Sequence, residues 1–168
     1  MSENKNIEIE RKFLVGQLPS YVDGLPHVRI EQGFLNADRL RVTRVRLTSD
    51  GQAFLTVKGL ANGATRVEIE TPIDPGKARS MLAMVEGAVI TKTRRRILYA
   101  GKNWELDIFE GANAGLVVAE IELDSESEAF EVPPWVGMEV TEDQRYANSN
   151  LALRPYSLWG EPVAALKN

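Results

Sequence analysis

The feature that most constrains this chain is an alternation of charged and apolar residues. It recurs in eight short segments, at residues 7–15, 28–35, 40–48, 53–58, 65–73, 90–99, 103–109 and 116–124. A period of two sends successive side chains to opposite faces, which is the mark of strands. Turn-forming stretches separate them: Ser49-Asp50-Gly51, Gly59 to Gly63, Ala100 to Asn103, and Gly111 to Gly115. The Asp50-Gly51 and Gly101 connections are short enough for hairpins, so the sheet is expected to be largely antiparallel.

Three places depart from the pattern. Asp74-Pro75, followed by Ala78, Met81, Leu82 and Val85, predicts a helix that Gly87 closes. Ser125-x-x-Glu128 has the form of a capping box opening a short helix, which Pro133-Pro134 must end. Thr141-x-x-Gln144 predicts a third helix running to about Leu153. Residues 156–168 carry no period and read as a loosely packed tail. The expected class is α+β, with one domain over residues 1–155.

The polar faces carry the chemistry, because charge sign is sorted by strand. Glu8, Glu10 and Lys12 share a face, and Arg44 and Arg46 share the next. Thr56 and Lys58 follow, then Glu68 and Glu70, then Lys92, Arg94 and Arg96. Glu105 and Asp107 make one further acidic face and Glu120, Glu122 and Asp124 another. Solvent-facing sheet surfaces usually intersperse both signs.

Two carboxylates at i and i+2 on a strand lie roughly 6.5–7 Å apart. At an effective dielectric of 20 each such pair repels by about 2.4 kcal/mol. On an outer face solvent would screen that cost to tenths. On an inner face the same residues would demand cations. Both arrangements are compatible with the alternation.

The interior arrangement is chemically coherent. A closed barrel with acidic and basic strands facing its lumen offers carboxylate oxygens to hard divalent cations and Lys and Arg to a polyanion. Eight acids (Glu8, Glu10, Glu68, Glu70, Glu105, Asp107, Glu120, Glu122) and six bases (Lys12, Arg44, Arg46, Lys58, Lys92, Arg94) are candidates. One or two Mg²⁺ or Mn²⁺ ions would turn their excess of negative charge into a host for a metal-bound oligophosphate. Phosphoryl transfer relies on positioning and charge stabilisation, so this inventory suffices for it.

Composition excludes other chemistries. With no Cys and only His27, thiolate catalysis, disulfides and any site needing two imidazoles are ruled out. The formal net charge of −4 is no footprint of a nucleic-acid binder. No apolar run approaches the ~20 residues that span a bilayer, and Met1-Ser2-Glu3 opens no apolar leader. The expected location is the cytoplasm, with no membrane or nucleic-acid partner. His27 reads as an edge residue, and Trp104, Trp135 and Trp159 as packing. Arg11 and Arg95 fall on the apolar side by parity, as rim or surface side chains. Strand faces that the helices leave uncovered would leave room for a homodimer.

The segment Glu8-Ile9-Glu10-Arg11-Lys12 resembles the E-x-E-x-K signature of the CYTH superfamily, also called triphosphate tunnel metalloenzymes. Further stretches agree in order: Gln32 to Leu35, Arg44-Val45-Arg46, Leu55 to Lys58, Glu68-Ile69-Glu70, Lys92-Thr93-Arg94, Glu105-Leu106-Asp107, Val118 to Glu122, and Glu139 to Tyr146. Together they cover about residues 7–153. The chain looks most like the short bacterial members, whose usual activity is inorganic triphosphatase.

The resemblance implies an eight-stranded antiparallel tunnel, closed, with charged faces inward and a few covering helices. It implies metal-binding roles for Glu8, Glu10, Glu120 and Glu122 and phosphate-binding roles for Lys12, Arg44, Arg46, Lys58, Lys92 and Arg94. Lys12, Glu122 and Arg94 become the expected catalytic residues. Glu68 and Glu70 would orient water or serve a second metal, while Glu105 and Asp107 would hold the bases. The implied reaction is metal-dependent (Mg²⁺ or Mn²⁺) hydrolysis of tripolyphosphate to pyrophosphate and orthophosphate. The same scaffold also hosts class IV-type adenylate cyclases and phosphatases of thiamine or nucleoside triphosphates, and a polyphosphate-binding sensor without turnover is a further alternative. One departure stands out: Phe34 occupies a position where such members usually carry Tyr, so no hydroxyl is available there to pair with Lys12.

Overall fold

The eight alternating segments do form eight strands, and they close on one another. The computed structural model describes residues 6–38 and 40–160. Its strands are β1 (Ile7–Leu14), β2 (His27–Asp38), β3 (Arg41–Thr48), β4 (Ala53–Gly59), β5 (Thr65–Pro72), β6 (Glu86–Tyr99), β7 (Lys102–Phe109) and β8 (Val117–Glu122). All neighbouring pairs are antiparallel, in the closed order β1-β5-β4-β3-β2-β6-β7-β8. Two helices, α1 (Pro75–Leu82) and α2 (Asn148–Leu153), lie against the barrel.

The apolar faces point outward, so much of the core lies outside the barrel wall. Phe13, Ile97, Trp104, Leu106, Ala119 and Ile121 are buried beneath a segment carrying Phe130, Trp135 and Val136. Trp104 has no exposed surface and meets Phe13, Phe130 and Trp135 in tilted or edge-on contacts. On the opposite flank α1 covers Val45 and Ala53 with Ala78. Beyond Ala53 the outer side of β4 and β5 has no such cover among the described residues, and Val57, Val67 and Ile69 are exposed.

At one end the inward face itself turns apolar. The parity that points Lys92 and Glu120 inward carries Ile90 and Val118 one step further along the same strands. These two pack with Phe34, Phe109, Tyr146 and Leu151. Residues 146–153, including α2, thus stopper one end of the lumen.

The helices differ from expectation in instructive ways. Asp74 caps α1, its carboxylate accepting the Lys77 N–H at 3.0 Å, with Pro75 at the first turn. The helix ends at Leu82 and does not reach Gly87. Val85 leaves it to pack on Gly33, where an added Cβ would come within 2.5 Å of Val85 Cγ1, and β6 has begun by Glu86. Gly87 ends no helix. Its φ is +70°, and a Cβ there would meet the Ala152 carbonyl oxygen at 2.5 Å, so glycine admits α2 to close contact.

No helix follows Ser125. The Glu128 carboxylate accepts the Asp124 N–H at 2.6 Å, making one turn, after which the chain stays irregular and lays Phe130 and Trp135 over Trp104. Thr141 starts no helix either. Its hydroxyl accepts the Lys12 N–H at 3.1 Å and donates to Glu139 at 2.7 Å, tying this segment to β1. A 3-10 turn at 144–146 intervenes before α2. The expected loose tail is ordered at its start. Tyr156 and Trp159 stack edge-on, and Trp159 also meets Tyr146. Residues 161–168 of that expectation lie outside the described residues.

Candidate active site

The lumen holds a cavity of about 240 Å³. Thirteen of the fourteen predicted site residues line it: Glu8, Glu10, Lys12, Arg44, Arg46, Lys58, Glu68, Glu70, Lys92, Arg94, Glu105, Glu120 and Glu122. The fourteenth, Asp107, is fully buried behind Lys92 and Arg94. Sequence reasoning missed Arg66 and, having placed Arg96 on a charged face, left it out of the site candidates; both line the cavity. Both were within reach of the parity rule, since Arg66 precedes Glu68 and Glu70 on one face and Arg96 follows Lys92 and Arg94. Asn148, reached only through the fold, lines it too.

Strand register sets the acidic wall. Glu10 sits opposite Glu122 and Lys12 opposite Glu120 across the β1–β8 pair. Glu8 turns away to Lys58 at 3.0 Å and Arg66 at 3.2 Å, and these cations overcome burial and hold its carboxyl down at about 2. For Glu10 the balance is reversed, and Lys58 offsets only part of the cost. Burial, with Glu120 and Glu8 beside it, pushes its carboxyl well above the usual range, and it shares a hydrogen bond with Glu120. Glu120, though buried, is held low by Lys12, Arg94 and Lys92. Glu122 is pushed up by burial and by Glu8, Glu68 and Glu105.

The basic wall is strained in the opposite sense. Arg94 forks onto Asp107 at 2.7 and 2.8 Å and reaches Glu105 at 2.5 Å. Lys92 forms an ion pair with Asp107 at 2.6 Å, yet burial and Arg94 bring its amine down to about 8. Arg46 is lowered to about 9 by burial and by Arg44 and Arg94. Arg44 meets Thr56 at 3.2 Å and Glu70 at 3.3 Å, while its Nε is buried without a partner. Lys58 also reaches Glu68 at 2.8 Å, and Lys12 Nζ donates to the Tyr146 carbonyl at 3.3 Å. An orphaned guanidinium donor and two depressed bases mark a wall that an anion would relieve.

The donor set fits a hard divalent cation on the acidic side. Glu10 and Glu120 act on each other as like charges that a cation would neutralise, with Glu122 opposite Glu10. Among the described residues no three carboxylates already converge into a cage. That suits Mg²⁺ or a similar ion, which takes one or two carboxylates and completes its shell with water and phosphate oxygens.

Comparison with known proteins agrees with this geometry. Residues 6–156 match the CYTH domain. An inorganic triphosphatase of Acetivibrio thermocellus is 43% identical over 155 residues, covering 92% of this chain and 98% of that protein. One of Nitrosomonas europaea is 41% identical, covering 87% and 97%. A crystal structure of an inorganic triphosphatase superposes with a TM-score of 0.63 at 38% identity, covering 87% of this chain and 94% of its own. A Hippeastrum protein described as an adenylyl cyclase with a dominant triphosphatase activity shares the fold, with a TM-score of 0.51 at 16% identity over 71% of this chain and 80% of its own. With nearly the whole described chain matched, this protein belongs to the CYTH domain family.

Proposed function

We propose that the lumen hydrolyses inorganic tripolyphosphate to pyrophosphate and orthophosphate, with Mg²⁺ or Mn²⁺ as cofactor. The observation that carries this reading is the inverted barrel: one lumen gathers acidic and basic side chains, with Glu10 pushed up by its acidic neighbours on one wall and, among the described residues, the Arg44 Nε buried without a partner on the other. A polyphosphate bridged to a divalent cation would serve both walls. The high identity to proteins named inorganic triphosphatase supports the choice of substrate.

One or two of Glu10, Glu120 and Glu122 would ligate the cation directly, with the others and Glu8 beside it. When bound there, it would neutralise phosphate charge and make an adjacent water more acidic. The remaining work falls to the chain's own side chains. Arg44, Arg46, Lys58 and Lys92 bind the non-bridging oxygens and fix the phosphate chain along the lumen. Water attacks the terminal phosphorus in line, one P–O bond forms as the bridging P–O bond breaks, and pyrophosphate leaves. Glu122, opposite Glu10 at the edge of the acidic wall, is placed to orient that water and take its proton. Lys12 and Arg94 take up the charge that develops on the leaving oxygen. Asp107 and Glu105 hold Arg94 and Lys92 in the wall, and Glu68 and Glu70 do the same for Lys58 and Arg44.

The test is release of orthophosphate and pyrophosphate from tripolyphosphate, ATP and thiamine triphosphate, with Mg²⁺, Mn²⁺ or EDTA. Metal-dependent release fastest on tripolyphosphate is expected. Cyclic AMP formed from ATP, or binding without turnover, would replace this reading with a cyclase or a sensor.

A further inference from the structure

Four side chains near the stoppered end form a hydrogen-bond chain whose polarity is forced. Arg46 Nε donates to Gln32 Oε1 at 3.1 Å, and Gln32 Nε2 donates to Asn148 Oδ1 at 2.7 Å. Lys92 Nζ donates to the same Asn148 oxygen at 3.0 Å. Arginine and protonated lysine can only donate, so the amide facing each must present its oxygen. Gln32 is thereby fixed by Arg46, and Asn148 by Lys92 and Gln32 together. Gln32 has no exposed surface and Lys92 almost none, so neither has water as an alternative partner.

The consequence lies on the other side of the Asn148 amide. With Oδ1 committed twice, Nδ2 carries two hydrogens that have no acceptor among the described residues, and Asn148 lines the lumen. The residue is itself well held. Leu151 and Ala152 are buried in the stopper, and Gly87 lets the Ala152 carbonyl approach β6 closely. Asn148 is therefore an uncharged donor on a rigid support, at the boundary between the apolar stopper and the charged chamber.

We propose that Asn148 is a substrate-binding residue, its Nδ2 donating to a non-bridging oxygen of the phosphate chain while its Oδ1 holds Lys92 and, through Gln32, Arg46 in place for the same anion. This deepens the triphosphatase reading and rests on it. The contact is made with ground-state phosphate as well as with the transition state, so its loss weakens binding more than turnover.

Two variants separate the functions of the amide. Asn148→Asp keeps acceptors for Lys92 and Gln32 but replaces the donor with a carboxylate oxygen facing the anion. Asn148→Leu removes donor and acceptor at similar volume. Steady-state hydrolysis of tripolyphosphate, with a thermal melt of each protein, should show KM raised about 10-fold or more in Asn148→Asp, with kcat within about three-fold and the melt unchanged; that is the range of a hydrogen bond to a charged group. Asn148→Leu should lose at least as much, and Gln32→Leu less, since it frees Arg46 while Lys92 still fixes the Asn148 amide. Wild-type turnover with KM unchanged in Asn148→Asp would overturn this inference and leave the triphosphatase reading standing. A wild-type protein inert on tripolyphosphate would overturn both.

Discussion

Two arginine–carboxylate forks of nearly the same geometry lie on opposite faces of this barrel wall. Outside, Arg11 grips Glu139 at 2.7 and 2.6 Å; inside, Arg94 grips Asp107 at 2.7 and 2.8 Å. The outer pair keeps about a third of its side-chain surface in solvent, at 32% and 36%, whereas the inner pair keeps 11% and 0%. Solvent can replace either partner of the outer fork. Nothing can replace Asp107, which also carries Lys92. The same chemistry is thus a surface clasp in one place and a structural requirement of the charged chamber in the other.

The sharpest way to break that contrast is to remove the inner carboxylate. Asp107→Ala leaves the buried Lys92 without its carboxylate and Arg94 with Glu105 alone, and is expected to cost about 3–5 kcal/mol of folding free energy. Denaturant unfolding reads that cost, and a loss below about 1 kcal/mol would mean that water enters the wall freely.

A second prediction concerns the base that Asp107 steadies. Lys92, lowered from its ordinary value to about 8, is charged below that pH and neutral above it. Its folded-state value lies below the ordinary 10.5, so the cost of charging it in the fold builds as pH falls from about 10.5 to about 8 and is complete below that, and a bound anion offsets that cost. Tripolyphosphate affinity should therefore fall as pH rises through about 8. Lys92→Arg should move this alkaline limb of kcat/KM upward by about one pH unit or more. An unmoved limb would assign it to another group.

The smallest effect belongs to the outer fork. Arg11→Ala should change stability by no more than about 1 kcal/mol and leave tripolyphosphate turnover within about two-fold. A larger loss of turnover would show that the clasp on Glu139 also sets the position of Lys12, its neighbour on β1.

The strands were legible because a two-residue period survives any tertiary context, and the segments at 7–15 and 65–73 match β1 and β5 to within a residue at each end. Which face was interior was not legible from period alone. Glu8 and Glu10 alternate with Ile9 in the same way on either side of a wall, and only the resemblance to tunnel proteins decided the direction. The change from Lys92 to Ile90, and from Glu120 to Val118, was a readable sign that the lumen becomes apolar at one end. The box at Ser125 misled because Glu128 caps a single turn, while the burial of Phe130 and Trp135 over Trp104 dictates the path of residues 129–136. Asn148 carried no local signal. It reaches Lys92 across 56 positions and Gln32 across 116, and only the packing of α2 on β6 and β2 brings them together.

The central claim is that the two walls act on one metal-bound triphosphate, and a four-way assay tests it most directly. Orthophosphate release from tripolyphosphate would be followed for the wild type, Lys12→Ala and Glu122→Ala, each with Mn²⁺ or Mg²⁺, and for the wild type in EDTA, with melts recorded throughout. The account predicts rapid release by the metal-supplied wild type alone, a loss of about 10²–10³-fold or more in each variant, and unchanged melts. Full activity in either variant, or in EDTA, would contradict it.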